Sequence, residues 1–205
     1  MVNSMSHRCK VIFIGDTGVG KTSITNKIIR DKFDEHSAPT IGASFSSINY
    51  DDINVYCEFW DTAGQEAYDS MSKMFYRDAQ IVILVIDSSR LKSIERIKPL
   101  IKNLHDVIDE NDYELIIIAN KIDKITDELQ DKIMSMIHKN ITRGKIIYTS
   151  AKTGQNIDTL QMLVKTTAKE LKDDKKLRKN IKNNRMELDK QYDAKSWKRF
   201  ICFMK

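Results

Sequence analysis

The sequence predicts an α/β fold: a doubly wound, mainly parallel six-stranded sheet with one antiparallel hairpin strand and about five helices. Short runs rich in Ile, Val and aromatic residues alternate with longer amphipathic stretches, which is typical of parallel strands covered by helices on both faces. One pair of neighbouring runs, separated by Asp51 and Asp52, leaves no room for a helix and predicts a hairpin. The 205 residues suit one domain of about 160 to 180 residues plus an appendage, large enough to bury a core without disulfides.

Six apolar runs are predicted as strands because most of them lack the polar alternation of a solvated sheet face. They are Lys10–Ile14, Phe45–Tyr50, Asn54–Trp60, Ile81–Ile86, Leu115–Ala119 and Lys145–Thr149. Ligands of doubly wound sheets bind at the carboxyl ends of the strands, so the residues that follow these runs are the candidates for a site.

Apolar residues at three- and four-residue spacing predict the helices between the strands. One helix is expected to begin with Ser93 as its cap and to carry apolar residues from 94 to 108 on one face. Pro99 should kink this helix or delay its start, because proline removes a backbone donor. A last helix is expected to have Asn156 as its cap and to bury its apolar positions between 157 and 171.

Charge is unevenly distributed along the chain. Residues 172–205 hold twelve Lys and Arg against five acidic residues, which gives this tail a charge of +7. Because the whole chain carries +5, the first 171 residues carry −2. The main domain is therefore not expected to bind nucleic acid, whereas the tail is either a solvated, partly helical appendage or a contact for something anionic. The longest apolar run, Ile81–Ile86, is far shorter than the roughly 20 residues of a membrane span. Three cysteines without a CxxC pattern suit a reducing compartment.

A glycine-rich turn follows the first strand and precedes a helix. Its sequence, Gly15-Asp16-Thr17-Gly18-Val19-Gly20-Lys21-Thr22, is a complete GxxxxGK[ST] motif. Glycines let backbone N–H groups cradle phosphate oxygens, and the helix directs its positive end at the same anion. Lys21 then supplies a point charge to the outer phosphates and Thr22 a hydroxyl for Mg²⁺. The expected nucleotide-binding residues here are Asp16, Thr17, Gly18, Val19, Gly20, Lys21, Thr22 and Ser23.

Base selectivity is predicted from the fifth strand, which runs into Asn120-Lys121-Ile122-Asp123. A carboxylate accepts hydrogen bonds from guanine N1–H and the 2-amino group, whereas adenine presents an acceptor at N1. Asp123 is therefore predicted to select guanine; the alternative for an isolated NKxD motif is that Asp123 caps a helix. About thirty residues later Ser150-Ala151-Lys152 offers a backbone N–H for guanine O6 and a lysine stem to cover the base.

These motifs resemble those of the small GTPases of the Ras superfamily, and most closely those of its Rab branch. The resemblance covers about residues 8–171 and includes the stretches IGASF at 41–45, WDTAGQE at 60–66, FYRDA at 75–79 and LVID at 84–87. It implies a P-loop NTPase G domain that binds GTP at residues 8–171, followed by a basic, hypervariable-like tail at 172–205.

The resemblance implies a Mg²⁺ site. Thr40 lies in the polar connection 31–42, which matches the segment called switch I, and corresponds to the threonine whose hydroxyl binds Mg²⁺ and whose N–H meets the γ-phosphate. Asp61 corresponds to the Walker B carboxylate that holds Mg²⁺ through water. The expected metal-binding residues are therefore Thr22, Thr40 and Asp61.

Three further residues receive roles from the resemblance. Gly64 is expected to contact the γ-phosphate through its N–H. Phe33 matches the aromatic that packs edge-on against guanine, and its alternative role is a simple core anchor. Gln65 is the expected catalytic residue, because its amide can orient the attacking water in line with the γ-phosphorus.

The implied activity is hydrolysis of GTP to GDP and phosphate. Hydrolysis is expected to be slow without an activating protein, because no arginine lies in the phosphate loop or in switch I after Arg30. The implied role is a molecular switch in vesicle trafficking, read by exchange factors, activating proteins and effectors. Ile41, Phe45, Trp60 and Tyr76 resemble the hydrophobic recognition patch of Rabs, or else pack ordinarily at the hairpin. We expect a cytoplasmic monomer, peripheral on the cytosolic face of an internal membrane.

Several residues depart from the Rab pattern. Ser44 replaces an acidic residue and Ala67 an arginine, both on surfaces that regulators read, while Thr17 for serine is a mild change. Ser37 stands where the family often has an aromatic over the phosphates, which predicts a more open site with faster nucleotide exchange.

The C-terminal cysteine pattern also differs from that of Rabs. The chain ends Cys202-Phe203-Met204-Lys205 rather than in paired cysteines, so either Cys202 carries a single prenyl group or the tail is a small basic and aromatic anchor without lipid. Two other classes of protein compete with the switch: a scaffold that binds GTP and barely hydrolyses it, and an unrelated P-loop ATPase or kinase.

Overall fold

The structure is a computed structural model that describes residues 6–64, 74–141 and 143–175. Its centre is a six-stranded sheet of order β2-β3-β1-β4-β5-β6. The strands are β1 (His7–Ile14), β2 (Ala43–Tyr50), β3 (Val55–Thr62), β4 (Ile81–Asp87), β5 (Glu114–Asn120) and β6 (Lys145–Thr149).

Strand β2 runs antiparallel to β3, and all other neighbouring strands are parallel. The prediction of a mainly parallel sheet with one antiparallel hairpin strand is therefore confirmed. The hairpin turns through a short 3-10 helix, Asp51–Ile53, as the two aspartates at this position indicate.

Five helices of five or more residues are present in the described part of the chain. They are α1 (Lys21–Arg30), α2 (Leu91–Glu95), α3 (Ile97–His105), α4 (Asp127–Asn140) and α5 (residues 157–175). Residues up to Ala168 form one compact unit; Lys169–Lys205 form a second, of which residues 169–175 are helical. No helix among the described residues combines the length and apolar composition needed to cross a bilayer.

The helix expected from Ser93 to Ile108 is interrupted at Arg96, so that α2 and α3 replace it. Pro99 lies in the first turn of α3, where its missing N–H does not matter. In a continuous helix the residue at position 99 would donate its N–H to the Glu95 carbonyl. Proline has no N–H, and its ring crowds this carbonyl, so α2 ends at Glu95. The expected break is therefore present, three residues before the proline.

Two predicted helix caps act differently from the expectation. Ser93 lies inside α2, and its Oγ accepts a hydrogen bond of 3.0 Å from the Asp87 N–H instead of capping a helix. Asn156 does immediately precede α5, but its φ of 59° is left-handed and its side-chain amide donates to the Tyr148 carbonyl at 2.7 Å. Ser93 thus ties α2 to the end of β4, and Asn156 ties the start of α5 to β6.

The core lies between the sheet and the helices. All seven residues of β4 are buried, and one continuous apolar cluster joins β4 and β5 to residues such as Ile94, Ile97, Leu104 and Ile133 of the helices. These include the apolar positions of α2 and α3 that the spacing predicted. The rigid sheet fixes the loops at the carboxyl ends of its strands, where Asp87 pairs in register with Asn120 and Asn120 with Thr149.

Candidate nucleotide-binding site

A cleft of ≈ 290 Å³ opens at the carboxyl ends of β1, β3, β5 and β6. Fourteen of the seventeen predicted nucleotide-binding residues line it: Thr17, Gly18, Gly20, Lys21, Thr22, Ser23, Phe33, Thr40, Gly64, Asn120, Lys121, Asp123, Ala151 and Lys152. The other three, Asp16, Val19 and Ser150, lie directly behind the wall and contact residues that line it. Segments more than 100 residues apart in sequence thus meet at one cleft.

The phosphate loop needs its glycines for two different physical reasons. Gly15, Gly18 and Gly20 have φ values of 147°, 78° and 100°, which side chains disfavour. A Cβ on Gly15 would also lie 2.4 Å from the Val85 carbonyl oxygen, and a Cβ on Gly20 would lie 2.4 Å from Asn120 Nδ2. No side chain caps the start of α1, so the N-terminus of this helix faces the loop without a competing side-chain acceptor.

Lys21 crosses the phosphate loop beneath the cleft. Its ammonium donates to the carbonyl of Gly15 at 2.6 Å and to that of Asp16 at 2.9 Å, and the residue is 5% exposed. Burial lowers the pKa of Lys21 to about 8, while the carboxylates of Asp61 and Asp16 oppose this shift. The phosphate loop therefore holds the nearly buried ammonium of Lys21, whose protonation depends on the balance between burial and the neighbouring carboxylates.

The three predicted metal-binding residues converge. Thr22 Oγ1 donates to Asp61 Oδ2 at 2.6 Å and shares a hydrogen bond of 2.7 Å with Thr40 Oγ1. Asp61 is fully buried, and its Oδ1 has no hydrogen-bond partner among the described residues. Burial raises the pKa of Asp61, and the hydrogen bond from Thr22 and the charge of Lys21 counteract the shift. A buried carboxylate with an oxygen that no hydrogen bond occupies, next to two hydroxyls, is a set of ligands that suits Mg²⁺, which prefers oxygen.

Gly64 closes the cleft on the side of β3. A Cβ at this position would lie 2.5 Å from Lys21 Nζ and 2.5 Å from the Thr17 nitrogen, so only glycine lets the chain approach the phosphate loop this closely. Gln65, the predicted catalytic residue, lies outside the described residues, and so do Ala67 and Cys202.

Asn120 joins three loops instead of pointing into open space. Its Nδ2 donates to the Val19 carbonyl at 2.9 Å, and its Oδ1 accepts from Thr149 Oγ1 and the Ala151 N–H, both at 3.2 Å. The next residue, Lys121, has a left-handed φ of 67°, and its ammonium donates to the Gly18 carbonyl at 2.6 Å. These bonds fix the phosphate loop against the loops that follow β5 and β6.

The carboxylate of Asp123 is oriented from the neighbouring loop. Ser150 Oγ donates to Asp123 Oδ1 at 2.6 Å and accepts from the Thr153 N–H at 3.1 Å. Phe33 lines the same cleft and is 36% exposed, so it is not the buried anchor that its alternative role required. The end of the cleft opposite the phosphate loop therefore presents a fixed carboxylate together with an available aromatic ring.

Several charged residues in or beside the cleft were missed by sequence reasoning. Asp87, at the end of β4, is buried and bonds Lys121 Nζ at 2.6 Å. Burial would raise the pKa of Asp87, but hydrogen bonds from Lys121 and Ser89 hold it below the usual aspartate value. Arg96 pairs with Asp16, Glu35 pairs with Lys152 at 3.2 Å, and Lys124 lines the cleft. Of these residues, Asp87 alone could have been found from the sequence, because the LVID stretch at 84–87 places it at the end of a strand.

The predicted recognition patch is present in part. Ile41 is 89% exposed and Phe45 is 51% exposed, and the Phe45 ring meets Trp60 edge-on at 5.3 Å. Tyr76 does not belong to this surface, since it is buried in the core cluster. Phe75, not Tyr76, stacks near Trp60 at 5.9 Å.

Comparison with known proteins assigns the family. A sequence model of the Ras family matches residues 10–170. The chain is 36% identical to the Ras-related protein RABG3b of Arabidopsis thaliana over 163 residues, which cover 73% of this chain and 77% of that protein. It is 34% identical to the GTP-binding protein YPT53 of Saccharomyces cerevisiae over 156 residues (72% and 70%), and 33% identical to the Ras-related protein Rab7 of Cenchrus ciliaris over 174 residues (78% and 82%). The chain therefore belongs to the Ras family and is a Rab-like small GTPase.

Proposed function

We propose that this chain binds GTP and GDP with Mg²⁺, hydrolyses GTP to GDP and phosphate, and acts as a molecular switch in intracellular vesicle trafficking. The observation that carries the proposal is the convergence of the phosphate loop, the Thr22, Thr40 and Asp61 cluster and the carboxylate of Asp123 on one cleft. A triphosphate, a metal and a guanine base are the three chemical groups that these parts suit.

The phosphate end acts by positioning and by charge. Backbone N–H groups of the loop and of the first turn of α1 bind phosphate oxygens, and Lys21 neutralises the outer phosphates. Lys21 does so without reorganising, because its ammonium is already held over the loop by the Gly15 and Asp16 carbonyls. Gln65 is assigned the orientation of the attacking water, and an activating protein is expected to supply the missing arginine.

Thr22, Thr40 and Asp61 would hold the Mg²⁺. When bound, the ion would neutralise charge on the β- and γ-phosphates. The Thr22 hydroxyl and the free Asp61 Oδ1 are the oxygens that support this assignment. Thr40 belongs to switch I, so its bond to Thr22 links switch I to the bottom of the cleft.

The switch logic follows from which residues reach the γ-phosphate. Thr40 and Gly64 lie in two different connections, and both would lose a contact when GTP is hydrolysed. The exposed Ile41 and Phe45 follow Thr40 within five residues, so partners that bind this surface would distinguish the GTP form from the GDP form. Exchange factors, activating proteins and effectors are the expected partners of a monomeric switch.

The domain organisation is part of the proposal. Residues 8–171 would form the G domain, and residues 172–205 would associate peripherally with the cytosolic face of an internal membrane. The tail would do so through its positive charge together with either a prenyl group on Cys202 or its aromatic residues.

The proposal is tested by identifying the nucleotide that copurifies with the protein. We expect chromatography of the denatured, freshly purified chain to release GDP or GTP close to one per protein. Release of adenosine nucleotides, or failure of the nucleotide-free chain to bind GTP in calorimetry, would contradict the assignment.

Removal of Mg²⁺ should accelerate the release of GDP. We expect excess chelator to raise the dissociation rate of a fluorescent GDP by about ten-fold or more, which corresponds to the loss of about 1.4 kcal/mol of binding. Thr22→Ala should release GDP quickly with or without chelator. Thr166→Ala, whose hydroxyl bonds the Met162 carbonyl on α5, is the matched control and should behave as the wild type. Chelator-insensitive release from the wild type would argue against a metal at this position.

Hydrolysis by the isolated chain should be slow and should depend on Gln65. In single-turnover assays we expect a rate on the order of 10⁻⁴ to 10⁻³ per second, the range of Ras, and a further loss of about ten-fold or more in Gln65→Leu. GTP affinity should change little, because orienting water contributes to the transition state and not to binding. Gln130→Leu on α4 is the matched control. A wild-type rate above about one per minute without a partner, or full activity in Gln65→Leu, would favour another catalytic arrangement.

A further inference from the structure

An acidic side chain stands inside the loop that is built to bind anions. Asp16 lies between Gly15 and Thr17, and its carbonyl accepts from Lys21 Nζ at 2.9 Å. Its carbonyl carbon would lie only 2.5 Å from a Cβ built on Gly64. The backbone of Asp16 is thus part of the phosphate loop, and the carboxylate on its side chain places a negative charge beside this loop.

A negative charge here opposes phosphate binding. The carboxylate of Asp16 acts on Lys21 electrostatically, since it counteracts the lowering of the lysine pKa by burial. A charge that reaches the Lys21 ammonium also reaches the phosphates that this ammonium would neutralise, and it repels them. The loop therefore needs a compensating cation.

Arg96 supplies a cation at this position from a distant part of the chain. Its Nε lies 3.1 Å from Asp16 Oδ1, although the two residues are 80 positions apart in sequence. Arg96 lies between the end of α2 and the start of α3, at the break that Pro99 imposes. The proline thus fixes the backbone position from which the Arg96 guanidinium reaches the phosphate loop. Both side chains are partly buried, at 36% and 27% exposure, which limits screening by solvent.

We infer that Arg96 is a positioning residue for the nucleotide: it neutralises Asp16 so that the phosphate loop keeps the net positive field that a triphosphate requires. Arg96 does not itself line the cleft, so it acts through Asp16 and not by touching the phosphates. This inference rests on the proposed function and deepens it, because it assigns the control of phosphate affinity to a residue outside the sequence motifs.

The inference predicts opposite effects for the two partners. Arg96→Gln leaves the Asp16 charge unopposed by this guanidinium and should weaken GTP binding by about three- to ten-fold, whereas Asp16→Asn removes the negative charge itself and should tighten GTP binding by a similar factor. The double variant should return to within about two-fold of the wild type. A purely structural ion pair would instead make both single variants weaker.

The measurement is the affinity of the full chain for GTP, GDP and GMP by calorimetry, at low and at high salt. The effect of Arg96→Gln should decrease from GTP to GMP and at high salt, because it is electrostatic. Arg96→Lys keeps the charge and should retain most of the affinity, which separates loss of charge from disturbance of the α2–α3 junction. Arg30→Gln removes one positive charge at the far end of α1 and is the matched control. Weakening by both single variants, or equal effects on GTP and GMP, would overturn the inference, whereas absence of guanine nucleotide binding in the wild type would overturn the proposed function itself.

Discussion

Replacing Asp123 with asparagine is expected to convert the chain from a guanine-binding protein into a xanthine-binding protein. In the proposed site the carboxylate of Asp123 would accept two hydrogen bonds from guanine, whereas an asparagine amide would direct a donor at the 2-amino group. Xanthine has a carbonyl at this position and would accept from that donor. Sites built on such bonds discriminate strongly, so we expect a change in the ratio of GTP to XTP affinity of about 10³-fold or more.

Competition of GTP and XTP against a fluorescent nucleotide measures this change. Asp158→Asn, an exposed aspartate on α5, makes the same chemical change away from the cleft and should leave the ratio as in the wild type. Ser150→Ala should give a smaller loss of GTP affinity without a gain for XTP, because Ser150 only orients the carboxylate. An Asp123→Asn variant that still prefers GTP would mean that Asp123 caps a turn and does not bind the base.

The sequence predicts the sheet well because its strands are buried on both faces. Runs such as Ile81–Ile86 are short and apolar without interruption, which is the pattern of a strand between two layers of helices. The predicted and observed ends of most strands differ by one to three residues, since polar residues such as Asp87 and Asn120 extend the strands to the rim of the site. Residue patterns report burial, and these end residues are polar yet buried.

The candidate site could be predicted as far as it follows local motifs. The phosphate loop and Asp123 each lie in a short contiguous segment, and the convergence of their loops follows from parallel strands ending at one edge. Contacts such as Arg96 with Asp16 and Glu35 with Lys152 join residues 80 and 117 positions apart through loop geometry. No periodicity or spacing encodes them. Tyr76 was misplaced for a related reason: an aromatic in a family-like stretch can face either the core or the solvent.

Replacing Lys21 with alanine is expected to have the largest effect on phosphate binding. Truncating one partner of a buried charge pair costs about 2 to 5 kcal/mol, so we expect GTP affinity to fall by about 30-fold to several thousand-fold. Lys27→Ala, which removes a lysine that pairs with Asp31 at the end of α1, is the matched control and should retain most of the affinity. Calorimetry of both variants against GTP makes the comparison.

Lys21 also predicts how nucleotide affinity depends on pH. In the free protein burial lowers its pKa to about 8, and bound phosphates would raise it again because they favour the charged form. The complex therefore holds more protons than the free protein above pH 8, so affinity should fall as the pH rises from about 8 to 9, by up to about ten-fold per unit. Below about pH 7 both states are protonated, and this group should cause no pH dependence.

Lys21→Arg separates this titration from any other. Arginine stays charged throughout the range, so the variant should bind GTP more weakly than the wild type, because its fork does not fit a site shaped for an ammonium, yet its affinity should not decline between pH 8 and 9. If the wild type and the variant declined in parallel, the proton would belong to another group, and the cation over the phosphate loop would be permanently charged. A decline in the wild type alone would assign the proton to Lys21. It would also show that bound phosphates complete the charge balance of an ammonium that, in the free protein, donates to the Gly15 and Asp16 carbonyls.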